Sequence, residues 1–172
     1  MNRRNAIVFG LLSAAAVIPF IGKTTKVANA MKKELQLDPN PETVEPFTLD
    51  DVEWKMRLED EAYNVLRNEG TERPYTSPFN DEKREGEYTC AGCNLALFKS
   101  DKKFDSGTGW PSFWKPIKGH VETKTDFKMI FPRTEYHCAR CGGHQGHIFK
   151  DGPKPTGLRY CNNGVALSFI PA

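Results

Sequence analysis

Residues 138–164 read CARCGGHQGHIFKDGPKPTGLRYCNNG, and this segment combines a metal-binding motif with a group of reactive side chains. Two residues separate Cys138 from Cys141, which is the spacing at which a pair of cysteines binds one metal ion. Two histidines follow, and the segment also contains the last of the chain's five cysteines, Cys161. The segment therefore predicts a structural site and a reactive site close together in the chain.

A second cysteine pair with the same spacing, Cys90 and Cys93, precedes the first, with 44 residues between the two pairs. Four thiolates in two such pairs are typical of a closed, structural zinc site. Two disulfides are the alternative, and an oxidising compartment would favour them, but disulfides do not require the two-residue spacing twice. We therefore predict a structural Zn²⁺ ion held by all four cysteines, which would join two segments of a larger sheet domain.

Cys161 is the one cysteine left over once the paired cysteines are assigned to a metal. It could be an inert buried thiol, or it could be kept for its reactivity. Residues two apart in a strand share a face, so Arg159 and Asn163 would lie on the same face as Cys161. A nearby positive charge lowers the pKa of a thiol, and Cys161 is therefore a candidate nucleophile.

The paired histidines, His144 and His147, could donate a proton or a hydrogen bond to a reacting oxygen. A histidine pair is also a common metal motif, but a third ligand would have to come from elsewhere. Acid catalysis is the favoured interpretation. Of the remaining histidines, we expect His120 on the surface and His137 within a strand.

Beyond residue 70 the chain contains short segments rich in β-branched and aromatic residues, separated by Gly, Pro, Asp and Asn. This pattern favours antiparallel sheets that enclose a core. The expected strands are 87–90, 94–98, 121–125, 128–131, 135–137, 147–149, 159–162 and 166–170.

A helical pattern precedes these strands. Apolar residues recur at helical spacing from Trp54 to Leu66, and Gly70 predicts the end of the helix. Residues 48–51 (TLDD) have the form of a capping box with Asp in place of Glu. An interruption at residues 58–60 could divide the segment into two short helices, which would pack outside the sheets.

The first 30 residues have the three parts of a secretory signal peptide: a positive start at Arg3 and Arg4, an apolar run and a small-x-small site that ends at Ala30. A membrane anchor is the alternative, but the apolar run is shorter than the roughly 20 residues that span a bilayer. We expect cleavage after Ala30 and export to a bacterial periplasm without a stable membrane anchor, by the twin-arginine or the Sec route. A polar, Pro-containing arm (31–46) and a single domain (47–172) follow.

Charge argues against a nucleic-acid partner. The chain has 24 basic and 22 acidic residues, but four of the basic ones lie in residues 1–30, which contain no acidic residue. The remainder therefore carries 20 basic and 22 acidic residues, with no basic stripe for nucleic acid to bind.

From about Trp54 to Phe169 the chain closely resembles the B-type methionine sulfoxide reductases, which act on the R epimer of the sulfoxide. The resemblance rests on the two cysteine pairs and on a series of ordered blocks. These blocks are GTERP (70–74), SGTGWPSF (106–113), GHQGHIF (143–149), DGP (151–153) and GLRYCNN (157–163).

The resemblance implies a mainly β fold: two antiparallel sheets around one core, peripheral helices and a structural zinc. It implies that Cys161 is the catalytic nucleophile and that Trp110 packs against the methyl group of the sulfoxide, although Trp110 by itself could be a core aromatic residue. The other site residues implied are His144, His147, Arg159 and Asn163 as catalytic groups, and Phe149 and Asp151 as substrate-binding groups.

The chain has Thr108 where some family members have a second, resolving cysteine. We therefore predict a cycle in which a sulfenic acid on Cys161 is reduced by an external thiol donor, such as a thioredoxin-like protein. The expected substrate is R-methionine sulfoxide, mainly in oxidised proteins or peptides, and the expected state is a monomer. The alternative is a zinc-stapled protein-binding module in which Cys161 is incidental.

Overall fold

The computed structural model of the chain describes residues 37–127 and 131–172. The predicted signal peptide, the first part of the arm and most of the predicted strand 128–131 lie outside these ranges. None of the helices within them has the length and apolar character needed to span a bilayer.

The described part of the chain contains two antiparallel sheets, two short α-helices and three 3-10 helices of three residues each. The helices are α1 (Asp51–Arg57) and α2 (Asp60–Asn68). The smaller sheet has the strand order β2-β1-β9, and the larger has the order β3-β4-β8-β7-β6-β5. The strands are β1 (Gly86–Cys90), β2 (Ala96–Lys99), β3 (Lys103–Phe104), β4 (Ser112–Phe113), β5 (Val121–Asp126), β6 (Arg133–Cys138), β7 (His144–Phe149), β8 (Arg159–Asn162) and β9 (Leu167–Pro171). This architecture confirms the predicted fold class.

Several details differ from the sequence prediction. Strands β3 and β4 were not expected, because two residues are too few to show an alternating pattern. Phe131 lies in a bend rather than a strand. His120 is buried rather than on the surface, with its Nδ1 2.5 Å from the carbonyl oxygen of Ala96.

Two overlapping segments at the start of α1, TLDD (48–51) and DDVE (50–53), both have the form of a capping box. Asp50, and not Thr48, caps α1: its side chain accepts a hydrogen bond from the backbone N–H of Glu53, and the Glu53 side chain accepts one from the N–H of Asp50. The predicted interruption is confirmed at Leu58, where the backbone is extended. α2 ends in a left-handed residue at Glu69, one position before the expected Gly70.

Aromatic side chains from both sheets form the core. Phe98 of β2 stacks on Phe113 of β4 with ring centroids 4.1 Å apart, and Tyr88 of β1 meets Phe113 edge-on at 4.9 Å. Tyr136 of β6 and Tyr160 of β8 contact each other and Phe98. Phe113, Tyr136 and Tyr160 point from the larger sheet towards the smaller one. Their neighbours along each strand therefore point away from the core.

Residues 37–46 form an irregular segment that lies against the two cysteine pairs. The carbonyl oxygen of Asp38 accepts a hydrogen bond from Nη2 of Arg140 (2.7 Å), and that of Pro39 accepts one from the N–H of Ala96 (2.9 Å). Nη1 of Arg140 also donates to the carbonyl oxygen of Cys93 (3.1 Å). Arg140 therefore links the arm to both cysteine-bearing turns.

Candidate active site and cysteine centre

One row of residues across the larger sheet carries the candidate active site. Cys161 of β8 lies opposite His147 of β7 on one side and opposite Ser112 of β4 on the other. Glu135 of β6 lies opposite His147 in turn, and Phe104 of β3 lies opposite Ser112. Directly opposed residues share a face of an antiparallel sheet, so this row faces away from the aromatic core.

A cavity of about 120 Å³ opens at Cys161. Five residues predicted for the site line it, together with residues that were not predicted. The predicted residues are Cys161, His147, Asn163, Trp110 and Phe149, and the additional ones are Thr71, Arg133, Gly146 and Asn162. Trp110 is therefore a wall of this cavity, and it does not belong to the buried core.

Asp126 holds the ring of His147. Nε2 of His147 lies 2.8 Å from Oδ2 of Asp126, and the same oxygen accepts a hydrogen bond from Nη2 of Arg133 at 2.7 Å. Because an ionised carboxylate only accepts hydrogen bonds, Nε2 of His147 carries a proton and donates it. Burial lowers the pKa of His147, and the hydrogen bond with Asp126 opposes that effect.

Glu135 holds His144 in a similar way, but His144 does not line the cavity. Nδ1 of His144 lies 2.6 Å from Oε1 of Glu135, whose other oxygen lies 3.0 Å from Nδ1 of His137. Burial raises the pKa of Glu135, but hydrogen bonds with the two histidines outweigh it and hold that pKa at about 2. Nε2 of His144 is buried and has no hydrogen-bond partner among the described residues, and its ring lies 5.4 Å from that of His147.

Arg159 is positioned by Asp151 and Phe149. Nε and Nη2 of Arg159 each donate to an oxygen of Asp151 at 2.9 Å, and the guanidinium carbon lies 4.3 Å from the centre of the Phe149 ring. Arg159 is buried and Asp151 is exposed, and neither of them lines the cavity. Asp151 thus contacts Arg159 in this structure, and Arg159 acts on the sulfur of Cys161 beside it.

Arg159 lowers the pKa of Cys161, as expected, but it does not bring that pKa below the ordinary cysteine value. Burial raises the pKa of the Cys161 thiol, and the positive charge of Arg159 and the hydroxyl of Thr108 lower it by less. Loss of water around the sulfur disfavours the thiolate, and the charge of Arg159 and the hydroxyl of Thr108 offset this effect only in part. The alternation of residues along β8 revealed Arg159, but it could not reveal how deeply Cys161 is buried.

Glu72 ties together two walls of the cavity. Its carbonyl oxygen accepts a hydrogen bond from Nε1 of Trp110 (3.2 Å), and its N–H donates to Oδ1 of Asn163 (3.0 Å). Its buried carboxylate accepts from the N–H groups of Gly164 (2.6 Å) and Val165 (3.0 Å). Burial raises the pKa of Glu72, and these two backbone N–H groups partly offset that rise.

Sequence reasoning did not assign a role to Asp126, Glu135 or Glu72. Glu72 belongs to the GTERP block, which was the only signal that could have drawn attention to it. Asp126 and Glu135 lie on strands whose polar residues are ordinarily solvated. Their roles follow from the strand pairing, which places both carboxylates beside histidines.

The four paired cysteines form a separate, buried centre. Their sulfur atoms all lie within 4.8 Å of one another, with Cys90 to Cys141 at 3.6 Å and Cys93 to Cys138 at 3.4 Å. A disulfide requires about 2.05 Å, whereas four sulfurs around one tetrahedral ion with bonds of about 2.3 Å lie about 3.8 Å apart. The arrangement therefore fits a metal ion and not two disulfides.

These features define a class of protein: a two-sheet β domain that combines a four-cysteine metal-type centre with a separate cysteine in a small cavity. A family model described as the SelR domain matches residues 58–171. A peptide methionine sulfoxide reductase MsrB of Agrobacterium fabrum is 51% identical over 122 residues, which cover 70% of this chain and 90% of the relative.

Two further relatives carry the same name. The protein of Pseudomonas putida is 55% identical over 122 residues, covering 69% of this chain and 90% of the relative. That of Thiobacillus denitrificans is 50% identical over 130 residues, covering 75% and 97%. The chain belongs to the peptide methionine sulfoxide reductase B family.

The balance of forces at Cys161 predicts the pH dependence of its alkylation. In the parent protein the rate should rise with pH around a midpoint above the ordinary cysteine value, because burial disfavours the thiolate. Arg159→Met should move the midpoint higher, because it removes the cation that favours the thiolate. The measurement is iodoacetamide labelling of the Cys161 peptide, followed by mass spectrometry across a pH series.

Arg159→Lys, which keeps a positive charge, should give a midpoint between those of the parent and Arg159→Met. Arg84→Met removes a cation that pairs with Glu82, and it should leave the midpoint unchanged. A lower midpoint in Arg159→Met than in the parent would contradict this assignment.

Proposed function

We propose that this protein is a thiol-dependent enzyme that reduces methionine sulfoxide to methionine, with Cys161 as the nucleophile. The observation that carries the proposal is the cavity in which Cys161 lies between Trp110 and His147. Membership of the reductase family supports it. An aromatic wall suits a methyl–sulfur group, since sulfur and methyl groups pack favourably on aromatic rings.

The first step is an oxygen transfer. The thiolate of Cys161 attacks the sulfoxide sulfur, and a proton reaches the sulfoxide oxygen, which turns a poor leaving group into a hydroxyl. The protonated oxygen leaves the substrate sulfur and bonds to the sulfur of Cys161 as the transient bond between the two sulfurs breaks, so methionine departs and Cys161 becomes a sulfenic acid. The substrate sulfur gains the two electrons that the sulfur of Cys161 loses, so no further oxidant or reductant is needed.

His147 is the group that supplies the proton. It lines the cavity and lies opposite Cys161, and Asp126 stabilises its protonated form. Because Nε2 donates to Asp126, the proton for the sulfoxide oxygen would leave from Nδ1 of the doubly protonated ring, and the lowered pKa of His147 makes that ring a ready donor. Glu135 orients His144 behind this ring.

An external thiol donor completes the cycle. The other four cysteines belong to the separate buried centre, and the residue beside Cys161 is Thr108, which cannot form a disulfide. Two donor thiols, such as those of a thioredoxin-like protein, convert the sulfenic acid to the thiol and release water and the donor disulfide.

Several finer features belong to the same proposal. The substrate is the R epimer, mainly in oxidised proteins or peptides. The chain acts as a monomer that is exported to a bacterial periplasm after removal of residues 1–30. The apolar run and the small-residue site of that segment support export.

We further propose that Cys90, Cys93, Cys138 and Cys141 hold a structural Zn²⁺ ion. Four thiolates complete a tetrahedral zinc site and leave no position for substrate, so the ion would supply stability and no reaction chemistry. The sulfur–sulfur distances support this assignment.

Turnover of separated epimers tests the activity. With dithiothreitol as reductant, the protein should convert a methionine-R-sulfoxide peptide to the methionine peptide, and the S epimer should remain. Cys161→Ser should abolish turnover, because serine has no sulfur to accept the oxygen. Chromatography of the peptide products measures both results, and full turnover by Cys161→Ser would refute the proposal.

Metal analysis of three variants tests the cysteine centre. Cys90→Ser and Cys138→Ser should lose zinc and fail to fold, because a structural zinc site contributes about 10–16 kcal/mol and a domain has only about 5–15 kcal/mol of net stability. Cys161→Ser is the matched control and should retain both zinc and fold. A parent protein that contains no zinc after purification without chelators would contradict the assignment.

A further inference from the structure

Three hydroxyl groups form a chain that leads to Cys161. Oγ of Ser106 lies 2.8 Å from Oγ1 of Thr108 and 2.8 Å from Oγ of Ser112, and the Ser112 hydroxyl donates to the carbonyl oxygen of Trp110 at 3.1 Å. Thr108, at one end, lies near enough to Cys161 for its hydroxyl to lower the pKa of the thiol. Ser112, at the other end, lies opposite Cys161 in the pairing of β4 with β8. The chain therefore runs from a hydroxyl near Cys161 to the backbone of the cavity wall.

The loop that carries Thr108 is held in place from both sides. Gly107 and Gly109 have positive φ angles of 69° and 89°, which side-chain-bearing residues rarely adopt. The carbonyl oxygen of Gly109 accepts hydrogen bonds from the N–H of Tyr75 (2.7 Å) and from Nδ2 of Asn80 (3.1 Å). The hydroxyl of Tyr75 donates to the carbonyl oxygen of Gly107 (2.9 Å). These contacts fix the position of Thr108 relative to Cys161.

The hydrogen bonds of the three-hydroxyl chain can all run in one direction or all in the other, because each hydroxyl has one proton to donate. When Ser112 donates to the carbonyl of Trp110, Ser106 donates to Ser112 and Thr108 donates to Ser106. The oxygen of Thr108 then accepts a hydrogen bond from Cys161. When the chain runs the other way, Ser112 donates to Ser106, Ser106 donates to Thr108, and Thr108 donates to Cys161.

We propose that the Thr108–Ser106–Ser112 chain reverses its direction with the chemical state of Cys161, donating to the thiolate before oxygen transfer and accepting the proton of the sulfenic acid afterwards. In this proposal Thr108 is a catalytic residue, because its hydroxyl bonds to the reacting group of Cys161, and Ser106 and Ser112 are positioning residues that act through it. The sulfenic acid part of this inference deepens the proposed function and rests on it. The thiolate part concerns Cys161 alone.

Reversal of the hydroxyl chain suits a site that must first bind a hydrogen-bond acceptor, the thiolate, and then a hydrogen-bond donor, the sulfenic acid. A thiolate needs a donor, because Cys161 is half-buried and charge on its sulfur is poorly solvated. A sulfenic acid needs an acceptor for its S–O–H proton, and an anchored sulfenic acid is less exposed to further oxidation. Rotation of three hydroxyls exchanges these roles without movement of the backbone, and it sacrifices only the longest bond, from Ser112 to Trp110.

Alkylation of Cys161 across a pH series tests the thiolate part. Thr108→Val keeps the shape of the side chain and removes the hydroxyl, and it should raise the alkylation midpoint by about one pH unit, as expected for a hydrogen bond to a charged group. Thr108→Ser retains a hydroxyl and should restore the parent midpoint. Ser106→Ala interrupts the chain one step further away and should give a smaller rise.

Oxidation by an excess of hydrogen peroxide tests the sulfenic acid part without any sulfoxide, because a second peroxide molecule is needed to oxidise the sulfenic acid to the sulfinic acid. Peroxide converts the thiol to the sulfenic acid and releases water, and dimedone labelling at intervals measures how long the sulfenic acid survives. Thr108→Val should lose it to further oxidation several-fold faster than the parent and Thr108→Ser. Neither assay requires reductase activity, so failure here is distinguishable from failure of the proposed function.

Equal midpoints and equal sulfenic acid lifetimes in the parent and in Thr108→Val would overturn the inference. Equal changes in Thr108→Val and Thr108→Ser would also overturn it, because they would assign the effect to packing of the loop and not to the hydroxyl.

Discussion

The four-cysteine centre is the constraint on which the rest of the structure depends. Cys90 ends β1 in the smaller sheet and Cys138 ends β6 in the larger one, so a shared metal ion would join the two sheets at one point. β7 begins three residues after Cys141, and it carries both histidines of the candidate active site. Nε2 of Gln145 in β7 donates to the sulfur of Cys90 (3.4 Å). The centre therefore determines where β7 lies, and through β7 it positions His147 beside Cys161.

The active site shows how burial and specific partners oppose each other at neighbouring groups. Burial alone disfavours a thiolate at Cys161, a protonated ring at His147 and an ionised carboxylate at Glu135. Of these three groups, only Glu135 has hydrogen-bond partners that lower its pKa by more than burial raises it. These partners are two histidines, and Glu135 therefore stays ionised. Arg159 and Thr108 offset the effect of burial on Cys161 only in part, so the pKa of Cys161 stays above its ordinary value and the group is mainly a thiol. A thiol that is mainly protonated reacts more slowly with stray oxidants than a thiolate does.

Sequence patterns predicted the features that depend on residues close together in the chain. They did not predict features that depend on which strands pair or on how far a side chain is buried. The cysteine spacing identified the centre, and the two-residue period placed Arg159 and Cys161 on one face. The TLDD and DDVE segments both resemble capping boxes, so sequence alone could not choose Asp50 over Thr48. Two-residue strands such as β4 have no period to detect, yet β4 places Ser112 beside Cys161. The partnership of Asp126 with His147 required the register of three strands.

Mass spectrometry of Cys161 after a single turnover tests the central claim most directly. Reduced protein is mixed with a methionine-R-sulfoxide peptide in the absence of any reductant, and every cysteine is then examined. The account predicts that Cys161 gains one oxygen for each methionine formed, that dimedone traps this species, and that the four cysteines of the centre are unchanged. Methionine formed with Cys161 unmodified, or with the oxygen on another cysteine, would contradict it.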